Sequence, residues 1–181
     1  ALAHGVTLNF TLLPSEFFLN GVKWEIPKGY ATLSKNYLFV RDLNLTSGLQ
    51  SISIYSRPAV SSPALVAELA NIDIAQLSNI AGLEDYQTDG RINGNVQVND
   101  LFGKMLLTGD IKASDVKIGN DTLGNINLSG SYDAGKQVIT LNDQSGIYRG
   151  NASVTASGSM SFDSTNNQRL VGNVQLNNTP V

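Results

Sequence analysis

From residue 92 to residue 176 the chain keeps a period of two. In Ile92-Asn93-Gly94-Asn95-Val96-Gln97-Val98 every even position is apolar or Gly and every odd one polar. The beat returns in Ile126-Asn127-Leu128-Ser129-Gly130-Ser131-Tyr132 and through residues 152–162. It returns again in Leu170-Val171-Gly172-Asn173-Val174-Gln175-Leu176, broken only at Val171. Side chains of an extended strand alternate between faces, so each segment has one apolar and one wet face. Little but Gly, Asn and Asp separates them. The expected fold is mostly β: a curved antiparallel sheet with one or two short helices.

The wet face is neutral rather than ionic. Charged residues are 15% of the chain, against the usual quarter. Ser, Thr, Asn, Gly and Gln fill the difference, which leans toward an extracytoplasmic setting. The net charge is −3 with no block of Lys or Arg, so nothing is present to neutralise a phosphate backbone, and nucleic acid is not an expected partner. Cysteine is absent, which excludes disulfides, thiolate metal sites and a Cys nucleophile. No run approaches 18 apolar residues, so no membrane-spanning helix is expected. The start at Ala1, without Met or a visible signal peptide, reads as a mature product or an excised fragment. A length of 181 residues suits one β domain, with or without a small appendage.

Alternation is poorer in the first third. Strands are expected over residues 6–13, 17–26, 31–41 and 43–55, the last as two strands or one long bent one. Asn20-Gly21 marks a hairpin turn, and Pro14, Pro27, Pro58 and Pro63 punctuate the segment. Residues 64–72 fit a strand or a helix. Asp73-Ile74-Ala75-Gln76 resembles a capping box in which Asp73 accepts the N–H of Gln76. Apolar residues then recur at helical spacing, which predicts a helix over 74–86. Residues 105–118 are too long for a regular strand. Leu107, Gly109, Ile111 and Ala113 hold odd parity, then Val116 and Ile118 hold even. One extra residue at Ser114-Asp115 restores register, the mark of a β-bulge, and bulges curve sheets. Gly119-Asn120, Ala134-Gly135 and residues 164–167 are turns. The echo of Gly94-Asn95-Val96-Gln97 in Gly172-Asn173-Val174-Gln175 points to an elongated, repetitive β architecture. Two units are expected, 1–63 and 64–181, joined as one continuous elongated domain.

Parity assigns Ile92, Val96, Leu107, Ile111, Val116, Ile118, Ile126, Leu128, Ile139, Leu141, Val154, Met160, Phe162, Val174 and Leu176 to one concave face. Such a face either closes over a packed core or stays open as an apolar trough. An open trough of this size exceeds what a monomer leaves bare. Acyl chains suit it, at about 0.8 kcal/mol per buried CH₂. The lining is poor in aromatics and charge, which fits a sliding, non-specific apolar ligand.

Catalytic constellations are missing, so no enzyme activity and no cofactor are expected. His4 is the only histidine and lies near a terminus, and no G-x-S-x-G elbow is present. No His, Asp or Glu cluster has zinc spacing. Asp110, Asp115 and Asp121 match no calcium loop and read better as turn caps. Nothing ties Glu25 to Glu84 as a glycosidase pair. Asn-x-Ser/Thr triplets at Asn9, Asn44, Asn120, Asn127, Asn151 and Asn177 follow from alternation, which sets Asn and Ser or Thr two apart on a wet face. Trp24 with Phe17-Phe18 reads as core or a fragment edge rather than as a ligand platform.

Three stretches carry a resemblance. They are Asp73-Ile74-Ala75-Gln76-Leu77, then Asp89-Gly90-Arg91-Ile92-Asn93-Gly94-Asn95-Val96, then residues 107–118. Thr122-Leu123-Gly124-Asn125-Ile126-Asn127-Leu128, the Tyr132–Gly135 turn and residues 147–162 follow. Across residues 64–178 this resembles the TamB branch of the AsmA-like family. Its grammar is a short helix, a G-x-hydrophobic-x-G strand, a hairpin, and a G-x-hydrophobic-x-A-x-D-hydrophobic strand. The resemblance implies a U-shaped groove, or β-taco, with an apolar interior. It implies a periplasmic segment of a diderm protein anchored in the inner membrane. The implied partners are phospholipid acyl chains and an outer-membrane assembly barrel. The implied roles are phospholipid transport between the two membranes and support of outer-membrane protein assembly. The rival reading is a structural β-sandwich or adhesin-like module with a closed core and no lipid role. An outer-membrane barrel is a weaker rival, because aromatics are only 7% and no girdles are visible.

Overall fold

The computed structural model describes residues 5–58, 63–80, 84–162 and 168–178. Strands form 73% of it and helix 4%; a helical share so far below the usual third makes the fold mostly β. All strand pairings are antiparallel.

The first strands are β1 (Leu8–Leu12), β2 (Ser15–Leu19), β3 (Val22–Ile26), β4 (Gly29–Ser34), β5 (Tyr37–Arg41), β6 (Leu43–Ser47), β7 (Gln50–Arg57) and β8 (Ala64–Asp73). Helix α1 (Ile74–Ile80) follows, then a 3₁₀ turn at Glu84–Tyr86. The remaining strands are β9 (Thr88–Asn99), β10 (Leu106–Ile118), β11 (Asp121–Asp133), β12 (Val138–Leu141), β13 (Gly146–Arg149), β14 (Ala152–Phe162) and β15 (Gln168–Asn177). A small sheet has the order β1-β4-β5. The large sheet runs β12-β14-β13-β11-β10-β9-β8-β7-β6-β3-β2, with β15 on the outer side of β14. β7 and β8 pair from Ser51–Ala70 to Arg57–Ala64, so the sheet runs unbroken across the 63/64 boundary.

Local chemistry explains most of the turns. Asn20 and Gly21 both hold positive φ, 49° and 77°, as a two-residue hairpin requires. Residues 43–55 divide into two strands around Gly48. The stretch expected as one strand over 31–41 is a hairpin instead, since Ser34 pairs with Tyr37 across Lys35-Asn36. Residues 64–72 are strand. The expected helix over 74–86 is shorter: α1 ends at Ile80, and residues 84–86 form a 3₁₀ turn. Its cap also differs, for the Asp73 carboxylate accepts from Ala75 N–H at 2.9 Å rather than from Gln76. Both positions are normal for an N-cap side chain. His4 and the turn expected at 164–167 lie outside the described residues.

The expected bulge is present. The pairing of β10 shifts between Ala113 and Val116, and Asp115 sits at φ 53°. Its amide donates to Asn125 Oδ1 at 3.2 Å. A second bulge lies between Leu69 and Ile72 of β8. Asn71 there has φ 54° and its amide donates to Asn93 Oδ1 at 3.0 Å. Each of these two bulges therefore has a left-handed Asx residue whose freed N–H is taken up by an Asn of the adjacent strand; a further shift lies between Val116 and Lys117. Bulges of this kind characteristically bend a strand.

Candidate functional site

Register places the sequence-derived apolar residues on one face. Ile92, Ala113 and Ile126 align, followed by Ile147, Val154 and Leu176. Leu65, Val98, Leu107, Tyr132, Ile139, Met160 and Leu170 form a parallel row. Ile111 pairs with Leu128, Leu141 with Gly158, and Val174 with Ala156. Val96 pairs with Gly109 and Phe162 with Gln168. Val116, past the bulge, pairs with Gly124, and Ile118 meets Thr88 of β9. We call this the inner face. Asn95, Gln97, Ser153 and Thr155 alternate onto the outer one.

The two ends of the inner face differ in cover. At β6 and β7 the small sheet lies over it. Val40 N–H donates to Ser56 Oγ at 2.9 Å, and a Cβ on Gly29 would stand 3.1 Å from Leu43 Cδ1. Helix α1 covers the next part, where Ile72 and Val116 are buried and a Cβ on Gly90 would meet Ile74 Cδ1 at 2.9 Å. Beyond β10 nothing among the described residues covers it. Leu128 is 49% exposed, Val174 68% and Leu170 75%, while Ile111, Ile126, Val154, Met160 and Phe162 are half-buried by their neighbours.

One row running from β10 across the bare part is glycine at every position but one, Leu141. Gly109 pairs with Gly130, Gly130 with Leu141, Leu141 with Gly158, and Gly158 with Gly172. At Gly158, with φ 156°, a Cβ would lie 2.3 Å from Val171 O, so only Gly fits. A hollow of about 480 Å³ sits here, walled by Ile139, Met160, Leu170 and Val174. The row crosses four strand spacings of about 4.8 Å, which makes it roughly 19 Å long.

The outer face holds most of the large sheet's charges. Lys23 lies 2.8 Å from Glu16 and 3.0 Å from Glu25, and these hydrogen bonds raise its pKa. Glu25 is thereby an ion-pair partner on the outer face. Arg91 pairs with Asp73. Asp133, in the β11–β12 turn, accepts Lys136 N–H at 3.0 Å, and that bond holds its carboxyl below the ordinary aspartate value. Val66 is only 2% exposed although it faces outward. Tyr55 and Gln97 flank it in register. Tyr55 Oη donates to Glu68 at 2.7 Å, and Arg57 reaches Gln97 at 3.2 Å, so polar side chains roof a small apolar one.

Sequence reasoning overlooked several inner-face members. Ile147 and Arg149 are the inward positions of β13, paired with Val154 and Ala152, and Leu65, Ala67 and Leu69 hold odd parity before the Asn71 bulge. Trp24 is buried and stacks on Phe17, with ring centroids 6.4 Å apart. No group of three or more His, Cys, Asp or Glu among the described residues is placed to hold a metal, and none of their helices is long and apolar enough to cross a membrane. Comparison of the chain with family models, curated proteins and solved structures finds no match in any of the three.

Proposed function

We propose that this chain is a groove segment of a periplasmic cell-envelope protein, in which the inner face carries phospholipid acyl chains between inner and outer membranes. On the same reading its bulges curve the sheet into a U-shaped trough, as the resemblance to the TamB branch of the AsmA-like family implies. Support of outer-membrane protein assembly, through an outer-membrane barrel partner, belongs to that reading too. The observation that carries it is the glycine row. It lowers the floor of the apolar face on either side of Leu141, in a row roughly 19 Å long, and one leaflet of hydrocarbon is about 15 Å thick. A closed sandwich has no use for such a furrow, because a void on an apolar face forfeits contacts. The inner-face side chains that wall the furrow, Ile139, Met160, Leu170 and Val174, are apolar, which suits a chain that slides.

The test is site-specific photo-crosslinking of the chain in a diderm host. A crosslinker at Leu128 or Val154 is expected to trap lipid, whereas one at Lys112 on the outer face is not. Equal yields at both faces, or none at Leu128 and Val154, would overturn the reading.

A further inference from the structure

Of the twelve Lys and Arg residues, Arg149 alone stands on the inner face of the large sheet. It follows Ile147 by two residues and pairs with Ala152, next to the Ile147–Val154 pair. The other cations are on the outer face, in turns or in the small sheet. Arg149 is exposed and has no ion-pair partner among the described residues. It borders a hollow of about 620 Å³ lined also by Leu123, Ile147, Val154, Asn151 and Asn178. One side of that hollow is aliphatic. The other offers the five guanidinium donors and two carboxamides, of which Asn178 is steadied by donating to Asn151 O at 3.2 Å.

We infer that this end of the inner face is a headgroup subsite, where Arg149 holds the phosphate of an anionic phospholipid whose acyl chain lies on Ile147 and Val154. The inference rests on the reading of the inner face as a lipid surface. A phosphodiester presents paired oxygens that match the planar fork of Arg. The carboxamide N–H groups suit the remaining oxygens or a headgroup hydroxyl. A lone cation at the rim of an apolar surface selects an amphiphile: the charge fixes one end, and the apolar rows leave the rest free to move.

Calorimetric titration of the chain with monomeric dihexanoyl phosphatidylglycerol, dihexanoylglycerol and hexanoate tests this. The phospholipid is expected to bind about tenfold tighter than the neutral diacylglycerol, the range of one charge-assisted contact. Arg149→Gln should remove that preference and leave dihexanoylglycerol binding unchanged, with an unaltered melting temperature. Arg149→Lys should retain only part of it. Equal binding of both lipids to the unmodified chain would keep the lipid surface and overturn the headgroup subsite, as would a preference that survives Arg149→Gln. Hexanoate binding as tight as the phospholipid would overturn the phosphate assignment. Failure of both lipids to bind would overturn the lipid surface itself.

Discussion

The hydroxyl of Ser145 donates to the carbonyl oxygen of Ser129 at 3.0 Å and accepts from the amide of Ser129 at 2.9 Å. The Ser129 carbonyl also accepts the Asn142 N–H at 2.8 Å, so it is the Ser129 amide that depends on this hydroxyl. The need arises because β12 and β13 are one strand line interrupted. Six residues separate Leu141 from Ile147, while their partners Gly130 and Ile126 are four apart, so two residues are looped out. Continuing the strand through 142–145 would carry Asp143 onto the apolar face by parity. Ser145 has no exposed surface, so water cannot replace its hydroxyl. Ser145→Ala is expected to cost about 1–3 kcal/mol, the range for a buried group left without its partner, here the Ser129 amide. Ser129→Ala loses only the bond from Asn142 Nδ2 and should cost less. Urea unfolding of both variants checks the order, and a silent Ser145→Ala would contradict it.

The bulges offer a second test. Asn93 Oδ1 accepts the amide of the left-handed Asn71. Asn93→Ala should lower stability by about 1 kcal/mol, whereas Asn93→Asp keeps an acceptor and should stay nearer the parent. Melting temperatures decide, and equal losses would show that the acceptor does not hold the bulge.

These details separate what alternation reveals from what it hides. The bulge at Ser114-Asp115 was legible because an odd insertion flips parity, and Ala113 and Val116 show the flip. The bulge at Asn71 leaves the same trace between Leu69 and Ile72, in a segment short enough to read equally as helix. The interruption at 142–145 leaves none, because two looped-out residues preserve parity between Leu141 and Ile147. Pairing partners more than a hairpin apart, such as Val154 with Leu176, are set by sheet topology rather than by local pattern. Cover is also non-local: Leu43 and Leu128 share a face and an alternation, yet one lies under the small sheet and the other is bare. Arg149 was overlooked because a single charge in a four-residue strand carries no periodicity.

Asp73 has two roles that substitution can separate. It caps α1 through Ala75 and pairs with Arg91, whose side chain is half-exposed. Asp73→Asn keeps the cap and loses only the ion pair, for at most about 1 kcal/mol. Asp73→Ala loses both, and the cap adds about 0.5–2 kcal/mol. Chemical denaturation should therefore rank Ala below Asn. The reverse ranking would mean that the Arg91 pair outweighs the cap.

Asp133 should show a depressed titration. The Lys136 amide is the main cause, with the Lys136 ammonium, 3.3 Å away, a lesser one. The folded pKa lies below the ordinary 3.8, so the turn gains stability from the ionised carboxylate above that value. It loses the gain as pH falls through the folded pKa. Carboxyl carbon shifts followed by NMR should place the midpoint below 3.8. Lys136→Ala should leave most of the depression, because the backbone donor remains. A midpoint restored by Lys136→Ala would assign the effect to the ammonium.

The openness of the inner face predicts a contrast between two charges placed on it. Leu128 is 49% exposed, so in Leu128→Glu the carboxylate reaches water directly. The loss is limited to part of one leucine's burial, below about 1.5 kcal/mol. Ile72 is 3% exposed, beneath α1 and beside Ile92. In Ile72→Glu the carboxylate must be desolvated without a partner or remain protonated, at several kcal/mol. Total stabilities run about 5–15 kcal/mol, so Ile72→Glu should leave the chain largely unfolded while Leu128→Glu folds and melts within a few degrees of the parent. Circular dichroism at neutral pH with a thermal ramp distinguishes them. If Leu128→Glu unfolds as completely as Ile72→Glu, the face beyond β10 is sealed in solution, and the acyl-chain furrow falls with it.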